Sequence, residues 1–257
     1  MLDSERPMLL ILGGTAEARA LAAAAVKHWS DDLRVVTSLA GRTRAPAAVA
    51  GEVRTGGFGG AEAMAEALSA DDVSLVVDAT HPFAANISDN AARACTAAQI
   101  PRLLLHRPAW RAGPGDTWIE AADMAEAAAL LPTLGRCCLV TTGVQELAAL
   151  AGIQNMRFVV RLVERPAGPL PLVDAALVIA RPPHDLASER TLIADHGIDI
   201  LLTKNAGGDA TAAKLRAARE AGIPVLMIRR PPPPAGDTVE TAADALNWIG
   251  DQLGGTP

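Results

Sequence analysis

The 257-residue chain contains no tyrosine, and only 3% of it is aromatic. That absence excludes the Tyr-x-x-x-Lys pair by which short-chain dehydrogenases and nucleotide-sugar epimerases resemble one another. Cysteine is scarce: Cys95, Cys137 and Cys138 make neither a disulfide framework nor a metal-ligand spacing. Cys137 and Cys138 are adjacent in an apolar run, so they should point to opposite faces of a buried strand and act as packing residues. A basic excess is also missing. The net charge of −6 argues against a general nucleic-acid surface but leaves room for a local basic pocket. No apolar run approaches the ~18–20 residues that a transmembrane helix needs. The run at 8–12, preceded by acidic residues, is too short for a secretory signal. The expectation is a protein of the reducing cytoplasm, with no metal, no membrane and no nucleic-acid partner.

What the chain does have is apolar content, 50%, and a length that makes two modest domains the default. Short Val/Ile/Leu runs alternate with Ala-rich helical stretches. The pattern predicts strands at 8–12, 34–38, 75–78, 102–105, 138–141, 157–163, 176–180, 198–202 and 225–228. Helices are predicted at 16–28, 61–68, 85–98, 186–195 and 211–221. Continuous apolar strands between helices indicate a mostly parallel sheet covered on both faces, hence an α/β class with two Rossmann-like domains.

An internal similarity strengthens the two-domain reading. Ile100-Pro101-Arg102-Leu103-Leu104-Leu105-His106-Arg107-Pro108 resembles Ile223-Pro224-Val225-Leu226-Met227-Ile228-Arg229-Arg230-Pro231. Each copy runs through a Pro/Gly loop into a second match, Asp116-Thr117-Trp118-Ile119-Glu120-Ala121-Ala122-Asp123 and Asp237-Thr238-Val239-Glu240-Thr241-Ala242-Ala243-Asp244. Each half should therefore end with a strand, a crossing loop, a short strand and a final helix. That places a domain boundary near 132–135, giving domains at 1–134 and 135–257. The loops 109–115 and 231–236 should be the least ordered stretches.

The first strand runs into Gly13-Gly14-Thr15-Ala16-Glu17-Ala18 and a helix. Glycines there let the backbone approach a ligand while helix N-terminal amides face its phosphates. The motif departs from G-x-G-x-x-G, so taken alone it also fits a plain strand-to-helix turn. The second strand ends without the acid that NAD-binding folds place there. Instead it offers Ser38, Leu39, Ala40, Gly41, Arg42 and Thr43. Hydroxyls beside a guanidinium suit a 2′-phosphate, which makes Ser38, Arg42 and Thr43 candidates for selecting NADPH over NADH; a solvated loop charge is the other reading of Arg42. The loop Gly56-Gly57-Phe58-Gly59-Gly60 either lies against a cofactor or is a flexible connection. Asp78-Ala79-Thr80-His81-Pro82-Phe83 follows the next strand, at the carboxyl end where ligands bind in open α/β sheets. His81 is there a candidate for holding a carboxylate or steering a proton.

These blocks, together with Thr203-Lys204-Asn205-Ala206-Gly207-Gly208, resemble the precorrin-6A reductase family of cobalamin (vitamin B12) biosynthesis. They occur in the same order over most of the chain. The resemblance implies one Rossmann-like domain for NADPH and one for the tetrapyrrole, an active site in the cleft between them, and terminal strands open to exchange between the sheets. It implies hydride transfer from NADPH to C19 of the precorrin-6A macrocycle with protonation at C18, giving precorrin-6B. A transient contact with the next pathway enzyme goes with that placement. The cofactor would be held by Gly13, Gly14, Thr15, Glu17, Ser38, Arg42, Thr43, Gly57, Phe58 and Thr80. The macrocycle carries acetate and propionate carboxylates, so the family binds it with basic side chains. Basic residues do recur at predicted strand ends here: Arg107, Arg181, Lys204, and Arg229 with Arg230. Substrate contacts are accordingly expected from His81, Arg107, Arg181, Lys204, Asn205 and Arg229, with Lys204, Arg229, His81 and Arg107 ranked above Arg181, His184 and Arg161. The proton source stays open among His81, a held water and solvent. A non-enzymatic NADPH-binding sensor would need the phosphate turn but no cationic edge.

Overall fold

The computed structural model describes residues 6–41 and 48–254. In chain order the elements are β1 (Met8–Leu12), α1 (Ala16–Trp29), β2 (Arg34–Leu39), β3 (Glu52–Thr55), α2 (Ala61–Ala70), β4 (Val73–Asp78), α3 (Ala85–Ala98), β5 (Arg102–Leu105), β6 (Trp118–Ala121) and α4 (Met124–Leu134). They continue with β7 (Cys137–Val140), a 3₁₀ segment (Val144–Leu150), β8 (Arg157–Leu162), β9 (Ala175–Ile179), α5 (Leu186–His196), β10 (Ile200–Lys204), α6 (Ala213–Ala221), β11 (Val225–Ile228), β12 (Asp237–Val239) and α7 (Ala242–Gln252).

The chain folds as two compact units, one made of Met1–Arg107 with Pro231–Pro257 and the other of Pro108–Arg230. The first holds a six-stranded sheet in the order β12-β5-β4-β1-β2-β3, and the second a six-stranded sheet in the order β6-β11-β10-β7-β8-β9. Every pairing among the described strands is parallel. Read from β3 and from β9, both sheets have the doubly wound order in which the winding reverses beside the first strand. The reversal lies between β1 and β4 in one unit and between β7 and β10 in the other.

The period of two along a strand builds both cores. In β1, Leu9 and Ile11 join Leu21 and Ala25 of α1 and Ile249 of α7 on one face. Met8, Leu10 and Leu12 join Met64 and Leu68 of α2 and Ala91 and Cys95 of α3 on the other. All five β1 residues are therefore buried, which is why the strand reads as an unbroken apolar run. In the second unit Cys137, Leu139, Val159, Leu201 and Met227 pack under α5 and α6, while Cys138 is buried beside Cys137 and outside that cluster. The three cysteines are buried free thiols, and burial pushes the Cys95 thiol up to about 11.

The expected boundary at 132–135 is not where the chain divides. It crosses between units after Arg107 and again after Arg230. β6 follows β5 in sequence but pairs with β11, and β12 follows β11 but pairs with β5. The terminal strands are thus exchanged, and the repeated Asp-Thr segments are the exchanged strands. The Pro and Gly that suggested a linker have local causes. Pro132 lies in the last turn of α4. Gly135 lets Asp199 approach, since a Cβ there would lie 2.5 Å from Asp199 Oδ1. The loop 109–115, expected to be poorly ordered, is tied down. Asn205 Oδ1 accepts from Trp110 N at 2.9 Å, Trp110 Nε1 donates to Gly208 O at 2.9 Å, and Asp116 Oδ2 accepts from Gly113 N at 2.8 Å.

Among the described residues no helix is long and apolar enough to cross a membrane. Two elements had no expectation. β3 is a mostly exposed edge strand without an apolar run, and the 3₁₀ segment is a short turn after β7 that periodicity does not reveal.

Candidate functional site

In the first unit the β1–α1 turn lies at the winding reversal. Gly13 N donates to Ser38 O at 2.9 Å, and a Cβ at Gly13 would meet Thr37 Cγ2 at 2.7 Å, so only glycine lets β1 leave beside β2. Gly14 has φ +112 and open space where a Cβ would stand. Thr15 caps α1: its Oγ1 accepts from Ala18 N at 3.1 Å and donates to Ala79 O at 2.7 Å. The hydroxyl thereby joins the β1 turn to the end of β4. The first amides of a helix have no intrahelical acceptor, and those of Ala16 and Glu17 have no partner among the described residues. Open backbone at Gly14 with outward amides at a positive helix end fits a dinucleotide pyrophosphate.

The rim of this turn comes from β4 and β2. Asp78 is fully buried at the end of β4. Its Oδ1 accepts from Thr80 N at 3.1 Å and from Thr80 Oγ1 at 2.7 Å, and Oδ2 is buried without a partner among the described residues. Asp78 therefore aims Thr80. It was legible only as a strand end, because its burial depends on the helices above. His81 is exposed. Its Nδ1 accepts from Phe83 N at 3.2 Å, so the neutral ring carries its proton on Nε2. At the β2 end, Ser38 is buried and Arg54 Nη1 lies 3.4 Å from Ser38 Oγ. The Arg54 guanidinium stands 3.8 Å over the Phe58 ring. Arg54 was missed from sequence because β3 was. Gly57 has open space at its Cβ direction. Arg42 and Thr43 lie outside the described residues.

Glu17, expected beside the cofactor, pairs with Arg107, expected beside the substrate. Arg107 Nη1 and Glu17 Oε2 are 2.7 Å apart. The structure thus brings these two predicted side chains together beside the first unit's turn.

In the second unit the parallel strands bring the predicted cations to one sheet edge. Lys204 ends β10, Arg229 follows β11 and Arg181 follows β9. Two of them are countered by glutamates: Lys204 Nζ lies 2.6 Å from Glu146 Oε1, and Arg181 Nη2 lies 2.7 Å from Glu164 Oε1. Glu146 comes from the 3₁₀ segment, so the Lys204 pair spans the winding reversal. Arg229 is exposed. Asn205 spends its amide on the chain, donating from Nδ2 to Trp110 O at 3.1 Å as well as accepting from Trp110 N. Its side chain fixes the loop. Arg230 does the same from the other side, donating to Asn205 O at 2.6 Å, Ala206 O at 2.9 Å and Pro108 O at 3.1 Å.

Behind that edge Arg161 and Glu189 form a buried ion pair at 2.5 Å, with Glu189 Oε2 buried and unpartnered among the described residues. Lys214 is buried too; its Nζ donates to Thr211 O at 2.8 Å and faces the Trp110 ring at 4.5 Å. Burial first, and then Arg161, holds the His184 ring below the ordinary histidine value.

Comparison with known proteins agrees with this architecture over nearly the whole chain. Residues 8–250 match the family model described as precorrin-6x reductase CbiJ/CobK. The chain is 50% identical to a precorrin-6A reductase of Rhodococcus erythropolis over 243 residues, 94% of this chain and 97% of that one. It is 41% identical to a precorrin-6A reductase of Rhodobacter capsulatus over 250 residues, 97% of this chain and 98% of that one. A solved structure described as CobK precorrin-6A reductase matches with a TM-score of 0.90 at 40% identity, covering 98% of each chain. With its ordered motifs, its paired doubly wound sheets and these likenesses along nearly its full length, the chain belongs to the precorrin-6x reductase CbiJ/CobK family.

Proposed function

We propose that this protein reduces precorrin-6A to precorrin-6B in cobalamin biosynthesis with NADPH as the reductant, hydride going to C19 and a proton to C18 of the macrocycle. The observation that carries the reading is the β1–α1 turn, which is open at Gly14 and presents unsatisfied helix amides, in a chain 50% identical to a precorrin-6A reductase. When bound, the reduced nicotinamide supplies the hydride, and the protein contributes orientation and electrostatics.

In this reading Gly13, Gly14 and Thr15 hold the pyrophosphate, Glu17 and Thr80 border it, and Ser38, Arg42 and Thr43 read the ribose end. Gly57 and Phe58 lie along the same ligand. Lys204, Arg181, Arg229 and Arg107 receive macrocycle carboxylates through charge-assisted bonds. Asn205 shapes the loop that follows Lys204. His81 holds a carboxylate through its Nε2 proton, or delivers a proton to the macrocycle when its ring is in the imidazolium form. The buried unpaired thiols suit a reducing cytoplasm.

Purified protein incubated with precorrin-6A and either nicotinamide tests this. The expected result is loss of NADPH absorbance matched by a macrocycle two hydrogens heavier, carrying one deuterium when the transferable hydrogen of NADPH is deuterated. Tight NADPH binding with no turnover of the macrocycle would overturn the assignment and favour a sensor.

A further inference from the structure

The Arg54 side chain is absent from every motif that sequence patterns single out, yet the fold places it at the end of β2. β3 lies parallel to β2 in a register that sets Arg54 beside Ser38, so both side chains leave the same face of the sheet. The guanidinium stacks 3.8 Å over Phe58 and reaches to 3.4 Å from Ser38 Oγ. The latter is the long limit of a hydrogen bond, a contact that a stronger acceptor can replace.

Its electrostatic setting differs from that of the other cations described above. Arg34, on β2, takes Glu52 with both ends of its fork at 2.7 Å and 2.8 Å. Arg107, Arg181 and Lys204 each have a glutamate. Arg54 is half-buried and has no carboxylate within ion-pair distance among the described residues. A planar guanidinium braced on an aromatic face loses little further freedom when its fork meets an anion. Ser38, accepting from Arg54, keeps its own proton to donate. The end of the second strand is where Rossmann-type folds read the ribose 2′ position.

We infer that Arg54, braced by Phe58 and Ser38, is a specificity-determining residue that receives the 2′-phosphate of NADPH. The inference rests on the NADPH reading above and adds a residue from a strand that reading did not use.

The test is fluorescence titration of NADPH and NADH into wild type, Arg54→Ala, Arg54→Lys and Phe58→Leu, with circular dichroism to confirm folding. A charge-assisted bond is worth enough that Arg54→Ala should weaken NADPH at least about tenfold and leave NADH binding nearly unchanged. Arg54→Lys keeps the charge and stem without the fork, so it should recover part of the preference. Phe58→Leu should weaken NADPH a fewfold by freeing the guanidinium. In a wild type that prefers NADPH, an Arg54→Ala protein with undiminished preference, or with equal loss for both nucleotides, overturns the inference and leaves the NADPH reading standing. A folded Arg54→Lys protein with full wild-type preference also overturns the need for the fork. A wild type that binds both nucleotides alike overturns both readings together.

Discussion

Thr15 shows how one side chain can serve helix and sheet together. Its hydroxyl caps α1 and donates to Ala79 O, so the phosphate turn and the end of β4 share one atom. Replacing it with valine keeps the shape and leaves both partners unsatisfied. Loss of an N-cap costs roughly 1 kcal/mol, and the stranded Ala79 carbonyl adds a comparable amount. Thr15→Val should therefore lower the unfolding free energy by about 2 kcal/mol, read by urea denaturation, and weaken nucleotide binding as the turn loosens. His184 offers a different test. Burial and Arg161 hold its folded pKa below the ordinary value, opposed by Glu189 and Asp185 and joined by Lys214. As pH falls below about 6.5, the unfolded chain binds a proton that the folded chain resists. Stability should fall through that window and level off below the folded pKa. His184→Gln should remove that part of the slope, and equal slopes in the two proteins would refute the assignment.

At the scale of elements, the loop after β10 combines a left-handed glycine with hydrogen bonds to residues far along the chain. Gly207 sits at φ +66, and a Cβ there would lie 2.1 Å from Pro108 O and 2.5 Å from Arg230 Nη2. Gly197, at the end of α5, has φ +61 and open space. Gly197→Ala should cost only the left-handed strain, about 1 kcal/mol. Gly207→Ala must also displace the Pro108 backbone or break the Arg230 contacts, and should cost roughly 3 kcal/mol or more. Thermal unfolding of the two variants side by side would measure the difference, and equal losses would mean that the crossing contacts carry little energy. The loop's Lys-Asn-Ala-Gly-Gly composition was legible as an anion-binding type of loop. That Asn205 and Arg230 secure it to residues 108 and 110 was not, because those contacts join segments far apart in the chain.

Over the whole molecule, the exchanged strands decide what can fold alone. α7 supplies Ala245 and Ile249 to the core under β1 and β5, and β12 covers the β5 edge. A fragment ending at residue 134 lacks both and carries β6 and α4, which have no sheet of their own to join. It should be insoluble or molten, with poor amide protection. A chain joining residues 1–107 directly to 231–257 contains the complete first sheet and should unfold cooperatively. If the 1–134 fragment instead folded cooperatively, β6 would have to replace β12 beside β5, an arrangement that the internal repeat makes testable by exchange mass spectrometry.

The amino-acid sequence alone determined the alternation of strand and helix, the parallel character of the sheets and the glycine turns at their carboxyl ends. Each of these rests on burial and backbone conformation within a few neighbouring residues: the five apolar residues of β1, or the positive φ of Gly14. Tertiary structure decided which sheet each terminal strand joins, because two similar Asp-Thr segments suit either edge and only the packing of α4 and α7 separates them. It also decided which cations carry a glutamate and which carbon ring Arg54 rests on. Those pairings depend on strand register and through-space distance, which local periodicity does not encode.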